Sequence, residues 1–215
     1  MSAADIITPG HVVRVPADSS PTLIVVVDTE EEFDWGKPFS RDATAVTSIQ
    51  LQPLAHEVFD KYGIKPTYVV DYPVAATESS VAVLRRLADD GRCDIGTHLH
   101  PWVTPPHEET VNHVNSYPGN LPPALERRKL EVMTETIEKN FGRRPVMYKA
   151  GRYGVGPATA GLLEELGYEI DLSIVPHTDF GEDGGLDFRG FPASPYWFGR
   201  NGRRLEIPLS RGYAG

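Results

Sequence analysis

The chain has 215 residues, of which 40% are hydrophobic and 24% charged, enough for one domain with a sizeable buried core. Its formal net charge is −9 and no cluster of Lys and Arg is interleaved with aromatic residues, so nucleic acid is not an expected partner. The sequence has no apolar run of about 18 residues, no charged-then-apolar leader and a single cysteine. We therefore expect a cytoplasmic protein with no membrane span and no internal disulfide.

Residues 1–21 are polar and contain prolines, and Val12-Val13 is their only weak strand signal. We interpret them as an N-terminal arm preceding one domain over 22–215. The segment after Leu209 begins what looks like another loop and then ends. This leaves open whether the domain is complete at its C-terminal end, and the oligomeric state is not indicated either.

Strand-like and helix-periodic segments then alternate along the chain, and a glycine follows each helix. Leu23 to Val27 is a continuous apolar run rich in β-branched residues, the pattern of a strand buried on both faces. The units of helix, glycine and strand are 48–62, Gly63 and 66–71; 78–90, Gly91 and 93–99; 122–141, Gly142 and 145–149; 157–166, Gly167 and 168–174. A further strand is predicted over 205–209. Glycine just past a helix closes it in a left-handed conformation, and the alternation predicts a parallel sheet with right-handed crossovers.

Polar residues that are unusual in strands stand at the carboxyl ends of the first five predicted strands. They are Asp28 and Glu30; Asp71; His98, His100 and Trp102; Lys149, Arg152 and Tyr153; His177 and Asp179. An open sheet concentrates its site at one switch point, whereas a barrel collects residues from all its strand ends around one mouth. The first strand is not followed by a glycine-rich phosphate loop. The pattern therefore predicts an α/β barrel with its site at the C-terminal ends of the strands.

His98 and His100 are one residue apart in a segment that Pro101 should terminate. Residues i and i+2 of a strand share a face, so the two imidazoles are predicted to lie side by side. Together with Asp28 or Glu30 they would provide three ligands for a divalent metal, with zinc favoured, and leave a position open for water. The other carboxylate would take the proton of that water. The alternative is a pair of partly exposed histidines at a strand end.

The acidic run after the first strand is interpreted in two parts. Asp28 directly ends an apolar run, so its carboxylate needs a metal or another cation as partner. Glu31 and Glu32 are interpreted as a solvated acidic turn.

The later strand ends supply further candidates. Arg152 is predicted to orient a carboxylate or a substrate oxyanion, the alternative being a structural bridge to Asp28 or Asp179. His177 is a candidate general acid, or else a loop histidine that caps a backbone carbonyl. The predicted substrate contacts are Trp102, Lys149, Tyr153 and Asp179. A sugar-stacking rim is predicted from Trp102, Tyr153, Tyr196, Trp197 and Phe198, with loop anchoring as the alternative for the last three.

Four segments in this order resemble the NodB-homology polysaccharide deacetylases, the superfamily of carbohydrate esterase family 4, and look most similar to its WalW-like branch. The segments are VVVDTEEEFDW, IGTHLHPW, YKAGRYG and DLSIVPHTDF, and the resemblance covers residues 22 to 215. It implies a distorted (β/α) barrel of about six to seven strands. It also implies metal-dependent removal of N- or O-acetyl groups from sugars.

The family motifs are matched only in part. Asp28 matches the first of two adjacent aspartates, a base followed by a metal ligand, but Thr29 stands at the second and Glu30 is the nearest replacement. His98 matches the first of two histidines four residues apart. Trp102 stands at the second position, so His100 would have to substitute for that histidine.

Two further motifs depart from the family pattern. Lys149 occupies the arginine position of the third motif, with Arg152 three residues on. The late Leu-x-His that supplies the general acid has no match before Gly215, which leaves His177 as the candidate.

The sequence thus predicts a hydrolase that removes acetyl groups from a carbohydrate or another acetylated small molecule with the help of a divalent metal. Two alternatives remain open. One is a metal-independent amide hydrolase on the same scaffold, and the other is a catalytically inactive carbohydrate-binding domain.

Overall fold

The computed structural model describes residues 10–211, in which seven strands form one sheet. The strands are β1 Val26–Thr29, β2 Thr67–Val70, β3 Asp94–Leu99, β4 Met147–Ala150, β5 Ile170–Asp171, β6 Tyr196–Phe198 and β7 Arg204–Glu206. Their order is β1-β2-β3-β4-β5-β7-β6, and each neighbouring pair is parallel except the antiparallel β6 and β7. The predicted α/β fold with a mostly parallel sheet is confirmed. The ladder runs from β1 to β6, and within residues 10–211 no pairing between these two strands closes it.

The helices are α1 Gln52–Lys61, α2 Tyr72–Ala76, α3 Glu78–Asp89, α4 Pro123–Phe141 and α5 Thr159–Leu166. A 3₁₀ turn over Thr47–Leu51 leads into α1. The four glycines after the predicted helices have φ values of 64° (Gly63), 72° (Gly91), 73° (Gly142) and 83° (Gly167). This left-handed conformation is the one that glycine adopts at no steric cost, so the predicted helix ends are confirmed. Across residues 10–211 the helices are all too short or too polar to cross a bilayer.

The first strand is shifted from its predicted position. Leu23 and Ile24 are 73% and 54% exposed, so the prediction that this run is buried on both faces is wrong there. β1 is at the edge of the sheet, and its ladder with β2 pairs Val26 with Thr67 and Thr29 with Val70. Asp28 therefore lies within the strand, and Glu30 begins the loop that follows.

The strand over 196–198 was not predicted. It pairs with β7, and Val12 forms a bridge to Tyr196. Gly10 N donates to Trp197 O at 2.9 Å, so the start of the described chain lies along this strand. The remainder of the predicted arm, 1–9, lies outside the described residues.

The core lies between the central strands and the helices that cover them. Tyr68, Leu99 and Tyr148 from β2, β3 and β4 are fully buried in one hydrophobic cluster. Leu130 and Met133 of α4 belong to the same cluster, so the longest helix packs over the centre of the sheet. Burial of apolar surface on this scale is the main stabilising contribution to the fold.

Helix α4 also fixes the loop that follows β3. The ammonium of Lys129 is fully buried and donates to the carbonyl oxygens of Pro101 at 3.0 Å, Pro106 at 2.8 Å and Thr104. It also lies 3.0 Å from Oε2 of Glu109. A buried ammonium needs such a set of acceptors, and this one holds the chain just past the two histidines.

Candidate metal centre

His98 and His100 stand at the C-terminal end of β3, and their rings lie on the same side as the strand alternation predicts. The ring centroids are 4.6 Å apart. Both residues are buried, with 2% and 1% of their surfaces exposed, so they are not the partly exposed pair of the alternative interpretation.

The carboxylate of Glu30 closes this arrangement from the loop after β1. Its Oε2 lies 3.2 Å from Nε2 of His98 and 3.4 Å from Nε2 of His100. One ligand atom from each of the three residues falls within 4.8 Å of the others, as a shared cation would require. Asp28, the other carboxylate considered from the sequence, is not part of this cluster.

The second nitrogen of each imidazole has an oxygen partner. Nδ1 of His98 lies 3.0 Å from the carbonyl oxygen of Lys149, and Nδ1 of His100 lies 2.8 Å from Oε2 of Glu31. A carbonyl oxygen and an ionised carboxylate only accept, so each Nδ1 is the nitrogen that carries a proton. Nε2 is then the ring nitrogen that a cation would take when the ring is neutral. Neutral rings would then direct two lone pairs at the Glu30 carboxylate. A divalent cation among these three groups removes that conflict, so the donor set fits a metal.

The electrostatics favour the charge states that a cation needs. Burial acts to raise the pKa of Glu30, but the hydrogen bond with His98 and the charges of His100, His98 and Lys149 outweigh it, and the net pKa is lowered. Burial lowers the pKa of His100 against the opposing effect of nearby carboxylates. An ionised Glu30 and a neutral His100 are the forms that bind metal.

Glu31 is the site residue that the sequence reasoning missed. It is 2% exposed, so its interpretation as part of a solvated turn is wrong, whereas Glu32 is exposed as expected. Oε2 of Glu31 accepts from His100, and Oε1 accepts from the indole Nε1 of Trp102 at 2.7 Å. Nothing in a run of three glutamates distinguishes the middle one, since its burial results from contacts with residues about 70 positions away.

Asp71 supports Glu31 from the next strand end. Its Oδ2 accepts from the backbone N of Glu31 and its Oδ1 from the backbone N of Val74, both at 2.9 Å. It caps α2, which has Pro73 in its first turn, and this Asp-x-Pro pattern was a readable signal. Burial raises the pKa of Glu31 and raises that of Asp71 well above its ordinary value, with the neighbouring carboxyl adding to the shift in Asp71.

Asp28 has the cationic partner that its position predicted. Nζ of Lys149 lies 2.6 Å from each of its carboxylate oxygens. The Lys149 side chain is 8% exposed and the Asp28 side chain 35%, so the pair stands at the boundary between the core and the mouth of the sheet.

Comparison with known structures identifies the fold. A Mycobacterium smegmatis structure assigned to the polysaccharide deacetylases matches 95% of this chain and 64% of its own, with 19% identity and a TM-score of 0.54. The chain has the fold of a polysaccharide deacetylase. Two other matches are a family 4 acetyl xylan esterase from Clostridium thermocellum, in complex with cobalt, and the chitin deacetylase from Colletotrichum lindemuthianum.

For the esterase the identity is 19%, the TM-score 0.44 and the coverage 74% of this chain and 61% of that one. For the chitin deacetylase the identity is 18%, the TM-score 0.46 and the coverage 77% of this chain and 59% of that one. The chain thus spans less than two thirds of the length of each of these structures. No protein-family model and no curated protein matches the sequence. The comparisons do not distinguish the WalW-like branch from the rest of the superfamily.

Trp102 occupies a supporting position in this polysaccharide deacetylase fold. It is 1% exposed and stacks on His100 with ring centroids 4.3 Å apart, which differs from the substrate-facing rim predicted for it. Beside Trp102, the loop after β1 presents aromatic side chains, of which Trp35 is 57% exposed and Phe33 stacks on Phe39 at 5.2 Å. Phe39 in turn lies 4.6 Å from the Trp102 ring.

Of the other aromatic residues predicted for the rim, Tyr153 stacks on Phe180 with centroids 5.7 Å apart and lies 5.0 Å from the Lys149 ammonium. Tyr196 and Phe198 of β6 are buried, and Trp197 between them is 39% exposed. The burial of Tyr196 and Phe198 agrees with the alternative interpretation, in which these residues anchor the chain and do not contact substrate.

Arg152 and Tyr153 both have positive φ values, 53° and 57°, which are costly for residues other than glycine. The Arg152 guanidinium donates to Oγ of Ser116 at 2.5 Å and lies 4.0 Å from the Tyr117 ring. It forms neither of the structural bridges considered from the sequence. Asp28 pairs with Lys149, and Asp179 pairs with Arg189 at 2.9 Å.

His177 lies exposed in the loop after β5, with φ of 63°. Among residues 10–211 it makes no hydrogen bond or ion pair with Glu30, His98 or His100. The structure therefore brings together Glu30 with the histidine pair, and Asp28 with Lys149.

Proposed function

We propose that this chain is a deacetylase that hydrolyses acetyl groups, held as amides or esters on a carbohydrate, with the assistance of a divalent metal. The observation that carries the proposal is the convergence of Glu30, His98 and His100, with the Nδ1 proton of each histidine engaged elsewhere. The fold of the polysaccharide deacetylases is consistent with it.

Glu30, His98 and His100 would hold the metal, and this set of one carboxylate and two imidazoles suits zinc and similar ions. An ion bound there supplies Lewis-acid chemistry, because it polarises the acetyl carbonyl and lowers the pKa of water. Asp28 would then act as the base, which is the assignment we propose for the two carboxylates between which the sequence left the choice open.

Asp28 would accept a proton from the attacking water, and Lys149 would orient its carboxylate through the paired contacts at 2.6 Å. Water adds its oxygen to the acetyl carbon, the C–N or C–O bond breaks, acetate leaves, and the sugar amine or hydroxyl gains a proton. Arg152 would bind the substrate or the developing oxyanion, with Tyr153 and Asp179 as further substrate contacts.

Metal content and acetate release on the same preparation test the proposal. Protein purified without chelator should contain close to one equivalent of a divalent metal and release acetate from chitooligosaccharides, acetylated xylan or 4-nitrophenyl acetate. His98→Ala/His100→Ala should lose both while keeping its thermal unfolding transition. A wild-type protein that stays metal-free in a metal-replete buffer would overturn the metal assignment.

We propose His177 as the general acid. A proton delivered to the leaving group contributes roughly 10²–10⁴ in rate, and amines need it more than activated alcohols do. His177→Asn should therefore slow amide hydrolysis by about that factor and change hydrolysis of 4-nitrophenyl acetate much less. Equal rates for the variant and the wild type on both substrates would eliminate this role.

One observation favours a non-catalytic carbohydrate-binding function as the second candidate. The Lys149 ammonium lies 2.6 Å from both oxygens of Asp28, so each carboxylate oxygen already has a partner and less of the carboxylate is free to accept a proton from water. Binding of an acetylated oligosaccharide without acetate release, with metal present, would support this candidate. Hydrolysis that survives both a chelator and the double histidine substitution would instead indicate a metal-independent hydrolase.

A further inference from the structure

Glu31 is a buried carboxylate with an unusually restrictive set of partners. Oε1 accepts from Nε1 of Trp102 at 2.7 Å, and Oε2 lies 2.8 Å from Nδ1 of His100. Its backbone N donates to Asp71, which caps α2 and so fixes where the Glu31 backbone stands. The side chain has no solvent-exposed alternative, because 0% of its surface is accessible.

The two donors that face Glu31 differ in one chemical respect. An indole N–H can only donate, whereas an imidazole nitrogen donates or accepts according to which ring nitrogen carries the proton. The Trp102 ring is held in place by its stack on His100 and by its burial. Of these two ring N–H groups, only that of His100 is able to change its hydrogen-bonding role. The Asp71 carboxyl is a third group that contacts the Glu31 side chain.

We propose that Glu31 is a positioning residue that holds the proton of His100 on Nδ1 and thereby leaves the His100 Nε2 lone pair free for a divalent cation. Nε2 of His100 faces Oε2 of Glu30 at 3.4 Å, on the side of the ring away from Glu31. The inference rests on the proposed function only for the use of the cation, since the tautomer is a property of the metal-free protein.

The isosteric substitution Glu31→Gln makes the proposal specific. A glutamine has one accepting oxygen and one donating NH₂ group where glutamate has two acceptors. Trp102 must donate, so the amide oxygen turns to the indole and the NH₂ group faces Nδ1 of His100. His100 can accept there only by moving its proton to Nε2, the atom that the cation needs.

A second substitution should reverse this effect. In Glu31→Gln/Trp102→Phe the indole donor is gone, so the amide is free to turn its oxygen toward His100. The proton of His100 then returns to Nδ1. Better metal binding in the double variant than in Glu31→Gln alone is a result that general damage to the site does not produce.

Two readouts test this without enzyme activity. The first is ¹⁵N NMR of the histidine rings in the metal-free protein, in which His98, bonded to the carbonyl of Lys149, serves as the internal reference. The second is the dissociation constant for Zn²⁺, measured in competition with a chromophoric chelator. Glu32→Gln is the matched control, because Glu32 is the exposed neighbour that binds Thr47 and Ser48.

We expect His100 with the proton on Nδ1 in the wild type and on Nε2 in Glu31→Gln, with Zn²⁺ affinity lowered about 10- to 100-fold in that variant. The double variant should recover most of the affinity, and Glu32→Gln should match the wild type. The wild-type spectrum alone decides the proposal if the variants fail to fold.

Several results would overturn the proposal. One is a wild-type His100 with its proton on Nε2, and another is a Glu31→Gln variant that binds Zn²⁺ as tightly as the wild type. Loss of all Zn²⁺ binding in Glu31→Gln but not in His98→Ala would assign the metal to Glu31, Asp71 and His100, which also lie within 4.8 Å of one another. A wild type that binds no Zn²⁺ but has the expected tautomer refutes the proposed function and leaves the inference standing.

Discussion

At the scale of single residues, three consecutive glutamates have three different environments. Glu30 faces two imidazoles, Glu31 is buried beneath one of them, and Glu32 is exposed and accepts from the backbone and side chain of the next element. The hydrogen bond from Thr47 is the largest cause of the lowered pKa of Glu32, while burial raises the pKa of Glu31. Identical side chains thus acquire different chemistry from their neighbours.

Gly151 shows how little space the histidine pair leaves. A Cβ at this position would lie 2.4 Å from the carbonyl oxygen of Leu99 and 2.5 Å from Cδ2 of His100. Gly151→Ala should therefore displace His100, lower Zn²⁺ affinity at least tenfold and destabilise the fold by about 1–3 kcal/mol. Chelator competition and thermal unfolding measure the two effects.

Gly161→Ala is the matched control for this substitution. Gly161 lies within α5, and a Cβ there meets nothing within 4 Å. Alanine is the better helix former by about 0.5–1 kcal/mol, so this variant should be slightly more stable with unchanged Zn²⁺ affinity. Similar behaviour of the two variants would show that Gly151 is not needed for the close contact with His100.

At the scale of elements, the loops at the C-terminal edge of the sheet are held in place by contacts with helices. The loop after β3 is fixed by Lys129 of α4, and the loop after β1 by Asp71 at the start of α2. After β4 the chain takes two successive left-handed residues, Arg152 and Tyr153. Strained backbone of this kind persists only where surrounding contacts hold it, as Ser116 and Tyr117 hold Arg152 here.

Lys129→Met tests the anchoring of the loop after β3. The substitution removes the ammonium and leaves the Glu109 carboxylate, 3% exposed, with only the Arg41 guanidinium at 3.9 Å from Oε1 as a cationic partner. Breaking a buried pair in this way costs about 3–5 kcal/mol, so the unfolding free energy from denaturant titration should fall by that amount. Lys129→Met/Glu109→Gln should recover part of the loss, because it removes a buried carboxylate that has lost its nearest cation.

Arg127→Met serves as the control on the same helix. The Arg127 side chain is half-buried, 40% exposed, and pairs with Glu131 and Glu165 near the surface, where such pairs contribute about 0–1 kcal/mol. If both variants lose equal stability, the buried contacts of Lys129 do not anchor the loop.

At the scale of the whole molecule, a second acidic cluster lies apart from the metal centre, between β5 and β7. Asp171 and Glu206 are directly paired in the ladder and both are fully buried. Burial raises the pKa of each, and the charge of Asp171 and a hydrogen bond with it add to the rise for Glu206. Asp171 accepts from Ser173 at 2.7 Å, and Glu206 accepts from the backbone N of Ile174 at 3.2 Å. Burial and the neighbouring Asp171 thus both favour the protonated form of Glu206.

A carboxyl group whose pKa is raised by folding stabilises the fold while it is protonated. This contribution is fully present below the unfolded value, 4.5 for Glu206, and is lost as the pH rises through the folded value. Glu206→Gln keeps a neutral group of the same shape, so its melting temperature relative to the wild type should rise steadily from pH 5 toward alkaline pH. A difference that stays constant with pH would show that Glu206 does not hold this proton.

The sequence by itself determined the features that depend on local backbone physics. Glycine closes helices at Gly63, Gly91, Gly142 and Gly167 because only it adopts positive φ without steric cost. Alternation along a strand placed His98 and His100 on one face. Apolar runs predicted β2, β3, β4, β5 and β7 to within a few residues. The first strand was predicted too early in the chain, and β6 was not predicted.

Only the tertiary structure decided which polar groups meet. Glu31 reaches a histidine 69 positions away, and Asp28 reaches a lysine 121 positions away. No local pattern distinguishes Glu31 from Glu32, or a Trp102 that supports His100 from one that contacts substrate, because burial depends on where distant segments pack. The sequence thus specified the sheet and the face that bears the histidines, while the packing of loops between strands assigned each carboxylate its partner.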